Sequence, residues 1–482
     1  MGSTGLDFKT FYNTINNELK TTATTRHGIN PATEEPNPEV PVSTKEDVNS
    51  AVSHARTAFK KWSKTSVDER RKTILAFADA LDSHKDELAH FLVKEQGKPL
   101  SQATQELGLS VFALQTVCKL ELPEEVLEDT EERTIITRHV PLGVACGIVP
   151  WNYPVLLACG KIGPALLTGC SIIIKPSPFT PYCSLKLGEI GRQIFPPGLF
   201  QVLSGGDDLG PMLTEHPDID KISFTGSSFT GKKVMESCAK TLKRVTLELG
   251  GNDPAIICDD VDIDAIIPNL VMRSFLCSSQ ICMMIKRLYV HEKIYDQLRD
   301  AFVKATKALK SGGGFEPDSF IGPLQNSMQY EKVKTFFDDI AKEGWKPATG
   351  GSISNEKGYF ITPTIIDNPP EKSRIVTEEP FGPILPMLKW SDEDDVIARA
   401  NDTKMGLGAS VWSNDVERAT RMAKQLEAGS VWVNSHFDVA PHVPFGGHKW
   451  SGMGAEWGVT GLKTYCNPQS LWLKKKPQRS RL

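Results

Sequence analysis

KISFTGSSFTGKKV, residues 221–234, joins a short apolar run to a helix-like one across two glycines, Gly226 and Gly231. A strand, a glycine turn and a helix in that order form an anion cradle, because the first amides of a helix point at whatever lies before it. Gly226-x-x-x-x-Gly231-Lys232 nearly matches a P-loop, but Lys233 stands where a magnesium-binding Ser or Thr belongs. That speaks against an ATPase. It leaves a phosphate-bearing dinucleotide on the turn, or a plain glycine turn, as the open readings.

Outward from this stretch, β-branched runs alternate with helix-length segments. VACGIV (144–149), SIIIK (171–175), IDKISF (219–224), VTLEL (245–249) and PAIIC (254–258) are the runs. The pattern predicts βαβ units, hence an α/β fold with a parallel sheet and ligands beyond the carboxyl ends of its strands. Upstream, Val48, Val52, Ala55, Phe59 and Trp62 mark one face of an amphipathic helix beginning after Thr44. Ser66 and Glu69 read as the capping box of a second helix. Residues 1–40, with Pro31, Pro36 and Pro38, read as irregular structure. SLWL (470–473) reads as a terminal strand that needs a partner in this subunit or another.

With 482 residues the chain holds two or three packed units, and a boundary near Leu249-Gly250-Gly251 begins a second domain. The net charge of −4 and the dispersed basic residues give no nucleic-acid footprint, and no apolar run is long enough for a membrane span. The start has no secretory signal, and the ten cysteines lack CxxC or zinc spacing and read as reduced thiols. The ending Ser480-Arg481-Leu482 is one residue from the Ser-Lys-Leu peroxisomal address, so peroxisomal import is expected, with a cytoplasmic location as the alternative.

Chemistry concentrates at a few points. SFLCSSQICMMIKR (274–287) carries Cys277 and Cys282 around Gln280, and either thiol is a buried core residue or a nucleophile. Glu248 ends an apolar run, where an unpaired carboxylate acquires the raised pKa of a general base; a capped or salt-bridged Glu is the other reading. Asn152, in VPWNYP, offers amide donors for an oxyanion, or simply forms a turn.

VPWNYP, KPSPFTP, FTGSSFTG, LELGG, Gln280-x-Cys282, EEPFGP, GSVWVN and PFGGHKWSGMGAEWG, in this order, resemble the aldehyde dehydrogenase superfamily, over nearly the whole chain. The resemblance implies a Rossmann-like dinucleotide-binding domain from 1–122 and 143–248 and a second α/β catalytic domain at 249–440. It adds a small β oligomerisation arm from 123–142 and 467–482, a return segment at 441–466, and a homodimer or homotetramer. It implies NAD(P)-dependent oxidation of a small aldehyde to a carboxylic acid without a metal. Cys282 would be the nucleophile, Asn152 the oxyanion donor and Glu248 the base that hydrolyses the thioester, with Glu456 a proton relay. NAD would lie on Pro150, Trp151, Lys175, Ser177, Gly226, Ser227, Gly231, Leu249, Glu379 and Phe381. NADP stays open because Pro178 replaces the glutamate that many NAD-preferring members place three residues beyond the lysine.

Around the nucleophile the family's Phe-x-Asn-x-Gly-Gln-x-Cys reads Phe275-Leu276-Cys277-Ser278-Ser279-Gln280-Ile281-Cys282. Ser279 cannot replace that glycine cheaply if its φ is positive. An altered loop would favour esterase or acyl-transfer activity of the same thiol, and loss of chemistry would leave a cofactor-binding scaffold. Tyr153, Leu157, Phe275, Met283 and Phe437 are the expected pocket lining, which suits an apolar or aromatic aldehyde.

Overall fold

The computed structural model describes residues 6–353 and 357–475. The apolar runs become the strands Val144–Ile148, Ser171–Lys175, Lys221–Thr225, Arg244–Glu248 and Asp253–Ile257, each within a residue or two of its expected place. The first four pair in parallel, with Phe200–Val202 beyond Ser171–Lys175. Antiparallel edges, Gly452–Met453 on one side and Asn13–Ile15 with Glu18–Lys20 on the other, complete an eight-stranded sheet. Asp253–Ile257 belongs to a second, seven-stranded sheet with Ile285–His291, Ile384–Trp390, Gly408–Trp412 and three further strands. Buried on both faces, the parallel strands read as continuous apolar runs rather than alternating ones.

Helices cover the sheets where local chemistry starts them. Thr44 and Asp47 exchange both bonds of a capping box at the head of the Lys45–Trp62 helix. Ser66 caps the Val67–Ser83 helix by accepting from the Glu69 N–H at 3.1 Å, so the full box forms one helix earlier than the sequence pattern placed it. Pro154 opens the Pro154–Thr168 helix, where its missing N–H costs nothing, and Gly169 closes it at φ 97°.

One expectation changes and another is met. The N-terminal stretch is not irregular throughout: Thr25–Asn30 and Glu35–Pro41 form a two-stranded ribbon, and Asn13–Ile15 joins the first sheet. An isolated ribbon consists of edge strands alone, which is where prolines are tolerated. The terminal run extends to Cys466–Lys474 and finds its partner in this chain, pairing along the length of Arg133–Pro141, which pairs in turn with Glu125–Asp129. Ser480–Leu482 lies outside the described residues. Among the described residues, no helix is long and apolar enough to cross a membrane.

Phe77 anchors the largest core, fully buried with ring centroids 5.1 Å from Phe195 and 5.7 Å from Phe200. Phe77→Ala is expected to cost about 3–5 kcal/mol, read as a lower denaturation midpoint in urea.

Candidate active site

The helix Ile263–Phe275 ends in a turn that delivers Cys282. Cys277, Ser278 and Ser279 all take the left-handed conformation, with φ of 51°, 55° and 59°. Each such non-glycine residue costs about 1–2 kcal/mol unless it is held. Here the Cys277 N–H donates to Gln102 Oε1 (3.1 Å), the Ser278 hydroxyl to the Gly322 carbonyl (2.7 Å) and the Ser279 hydroxyl to the Ser274 carbonyl (2.5 Å). The turn therefore keeps a positive φ at Ser279, with a side-chain hydrogen bond where glycine would bring freedom. Gln280 locks it from the other side, donating to the Cys277 carbonyl and accepting from the Gln325 N–H.

Nine of the ten cysteines are buried, and Cys282 alone is partly exposed. Cys277 packs its thiol against the Gln96 amide. Apolar surroundings push the Cys282 thiol up to about 12, against the pull of Lys286 and with Glu379, Asp253 and Glu248 adding to the rise. A thiol in that state needs a base or a nearby positive charge to become a nucleophile.

Asn152 lies in the turn between Val144–Ile148 and Pro154–Thr168, and its Nδ2 donates to the Gln280 carbonyl at 2.9 Å, two residues from Cys282. An amide nitrogen carries two hydrogens, so one stays available to a ligand. The Asn152 carbonyl accepts from Lys98 Nζ at 2.9 Å. Lys98 is ion-paired with Glu106 in full burial, and Glu106 Oε1 accepts the N–H groups of Val155 (2.9 Å) and Leu156 (3.2 Å) in the first helical turn. Neither residue was singled out from the sequence. The available signal was a glutamate on the apolar face of the Leu100–Val117 helix, beside Ala103, Leu107 and Leu114.

Glu248 ends its strand 2% exposed, and neither carboxylate oxygen has a hydrogen-bond partner. Burial first, then the nearby Glu456, raise its pKa well above the usual carboxylate range, while Lys161 opposes them. Glu456 is itself ion-paired with Lys161 and accepts from the Ser223 hydroxyl at 2.6 Å; Lys161 also donates to Thr225 Oγ1 at 2.8 Å. Lys161 was missed in the sequence, where it is a lone lysine in an otherwise apolar helix.

Most of the expected cofactor residues follow strands of the first sheet, and Glu379 and Phe381 come from the segment between the Arg374–Thr377 helix and the Ile384–Trp390 strand of the second. Lys175 is buried at the end of its strand, donates to the Pro176 carbonyl at 3.2 Å, and has its pKa drawn down to about 8 by desolvation. Ser177 is buried in the turn that follows, and Pro150 and Trp151 are partly exposed after the neighbouring strand. Ser227 caps the Ser228–Ala239 helix by accepting from the Thr230 N–H at 3.2 Å. Gly231 has no room for a side chain, since a Cβ would lie 2.6 Å from Leu249. Glu379 Oε1 accepts from the Gly251 N–H at 3.2 Å, and Phe381 meets Trp151 edge-on with centroids 5.3 Å apart. A lysine and a carboxylate for sugar hydroxyls, a capped helix N-terminus for phosphate and paired aromatic rings fit the donor set a dinucleotide requires.

Tyr153, Leu157, Met283 and Phe437 share one apolar cluster with Cys282, joined by Leu276, Phe445 and Trp457. Phe275 does not line it. It is fully buried in the core of the second sheet, 6.2 Å from Phe302, because at the last turn of its helix it faces that sheet.

Residues 19–471 match the model of the aldehyde dehydrogenase family. The putative aldehyde dehydrogenase FUS7 of Gibberella fujikuroi is 43% identical over 98% of this chain and 100% of its own length. The aminoaldehyde dehydrogenase 1, peroxisomal, of Pisum sativum is 39% identical over 91% of this chain and 90% of its own length. The NAD+ complex of the aldehyde dehydrogenase from Bacillus cereus superposes with a TM-score of 0.94, at 34% identity and with 97% of each chain covered.

Glu248 has a measurable signature. A carboxyl whose pKa is raised on folding keeps its full stability contribution below the unfolded value, near 4.5, and loses it as pH rises toward the folded one. Glu248→Gln, which cannot ionise, is expected to match wild type in Tm near pH 4.5 and to exceed it increasingly from pH 6 to 8.

Proposed function

The chain belongs to the aldehyde dehydrogenase family, and on that premise we propose that it oxidises an aldehyde to its carboxylic acid with NAD, using Cys282, Asn152 and Glu248. The observation that carries this reading is the pairing of the one partly exposed cysteine with an amide donor bonded into the same turn, Asn152 Nδ2 on the Gln280 carbonyl.

Cys282 Sγ attacks the aldehyde carbon, and its proton leaves toward Glu248, whose unpartnered oxygens and raised pKa suit it to accept one. The carbonyl oxygen becomes an oxyanion, held by the free N–H of Asn152 Nδ2 and by the Cys282 N–H. NAD held on the residues named below would supply the hydride acceptor for oxidation of the thiohemiacetal to a thioester. Glu248 then takes the proton of the water that hydrolyses the thioester, returning the free thiol and an acid. Glu456 and Lys161, already ion-paired behind it, form a relay that carries the proton away.

Lys175 and Glu379 would hold ribose hydroxyls, and the first turn of the Ser228–Ala239 helix, with Gly226 and Ser227, the pyrophosphate. Pro150, Trp151, Ser177, Leu249 and Phe381 would complete the walls. We take NAD as the cofactor, although Pro178 brings no carboxylate to exclude a 2′-phosphate and the charged groups acting on Lys175 are of both signs, Asp207 and Asp208 opposed by Arg26. The NAD+ complex of the Bacillus cereus relative supports the same choice. The Tyr153, Phe437 and Trp457 cluster suits an apolar or aromatic aldehyde.

The proposed unit boundaries follow the two large sheets, with 249–440 as the catalytic domain. The sheet of Glu125–Asp129, Arg133–Pro141 and Cys466–Lys474, with Val126, Leu127, Trp472 and Leu473 exposed, is the proposed surface for a homodimer or homotetramer. A peroxisomal location is supported by Ser480-Arg481-Leu482 and by the name of the pea relative; the alternative is the cytoplasm.

Incubation with NAD and a panel of aliphatic and aromatic aldehydes should give steady formation of reduced cofactor. Cys282→Ala should abolish it, and Asn152→Ala should lower kcat by about 10²–10³. Undiminished oxidation by Cys282→Ala would refute the site.

A further inference from the structure

Lys286 stands four residues past Cys282, at a flaw in the second sheet. Asp253 pairs with Ile285 and Pro254 with Arg287, so the register skips Lys286. Pro254 has no N–H for the ladder, and the surplus residue opposite it is a bulge, a device that re-aims a side chain. Only 4% exposed, the Lys286 side chain turns back on its own chain. Its Nζ donates to the Ile281 carbonyl at 2.8 Å and the Cys282 carbonyl at 2.7 Å, and lies 3.4 Å from Glu379 Oε1. Two of the ammonium's three hydrogens go to those carbonyls, and Glu379 is its ion-pair partner. The Cys282 carbonyl is also packed on Gly251, where no Cβ would fit, and the Gly251 N–H shares Glu379 Oε1 with Lys286.

The Ile281 carbonyl and the Cys282 N–H belong to one planar trans peptide and point in opposite directions. Fixing the carbonyl on Lys286 therefore aims the N–H away from it. Among the charged groups acting on the Cys282 thiol, Lys286 opposes three carboxyls: Glu379 in the segment after the Arg374–Thr377 helix, Asp253 on the adjacent strand and Glu248 from the first sheet. We propose that Lys286 is the positioning residue of the nucleophile turn: it aims the Cys282 N–H at the developing oxyanion and lends the thiolate its positive charge. This rests on Cys282 being the nucleophile of aldehyde oxidation.

The test is Lys286→Met, with iodoacetamide labelling of Cys282 followed by peptide mass spectrometry from pH 7 to 10, beside steady-state kinetics with aldehyde and NAD. The labelling profile should move to higher pH, slowing the reaction at pH 8 tenfold or more. The value of kcat should fall tenfold or more, with KM for NAD within twofold of wild type. Should the Met variant fail to fold, Lys286→Gln, equally uncharged, is read in the same way. A wild-type labelling profile in the uncharged variant, with wild-type enzyme turning over normally, overturns this proposal alone. Absence of turnover by the wild type with every aldehyde overturns the aldehyde reading and this proposal with it.

Discussion

Lys98 and Glu106 face each other without solvent, between the helices of the first sheet and the turn that carries Asn152. Such a pair persists only when every remaining lone pair and proton is used, since removing one partner from a buried pair costs about 3–5 kcal/mol. Lys98 divides its charge among Glu106, the Asn152 carbonyl and the face of the Tyr153 ring, 3.5 Å away. Glu106 spends its other oxygen on two orphan amides of the Pro154–Thr168 helix. The turn is thereby fixed at both its carbonyl and its helical end, and Asn152 Nδ2 can tie it to the Gln280 peptide.

From that tie the nucleophile turn is built outward. Three left-handed residues in a row would unwind if left to local preference; Gln102, Gly322 and Ser274 each contribute one bond that holds them. Beyond Cys282, Lys286 closes the loop onto two carbonyls and Glu379. The same region leaves Glu248 and Asp253 buried with no hydrogen-bond partner on either carboxylate oxygen. Groups so placed cost stability, and Asp253 responds with a pKa pushed up to about 8, through burial above all. The expense is concentrated where proton transfer is proposed.

The architecture was readable because the five β-branched runs are buried on both faces and need nothing else to declare themselves strands. The places of Asn152, Lys175 and Glu248 at or just past strand ends were legible from the apolar runs before them, whereas Cys282 and Glu379, each following a helix, stood out only through short motifs. Phe275 was not, because adjacency to the nucleophile in sequence says nothing about which way the last turn of a helix faces. Pro36 and Pro38 were read as breakers, and become residues of a ribbon whose strands are all edges.

The amino-acid order by itself determined the alternation of strands and helices, the family and the residue types of the site, since those depend on local periodicity and on motifs a few residues long. Tertiary structure decided which of ten cysteines is partly exposed, that Glu248 has no partner, and that Lys98, Glu106, Lys161 and Lys286 are bound into the site. Those outcomes depend on desolvation and on partners up to hundreds of residues away, as when Lys161 meets Glu456. A charged side chain in an apolar segment announces that it must be paired, but only the packed chain says with what.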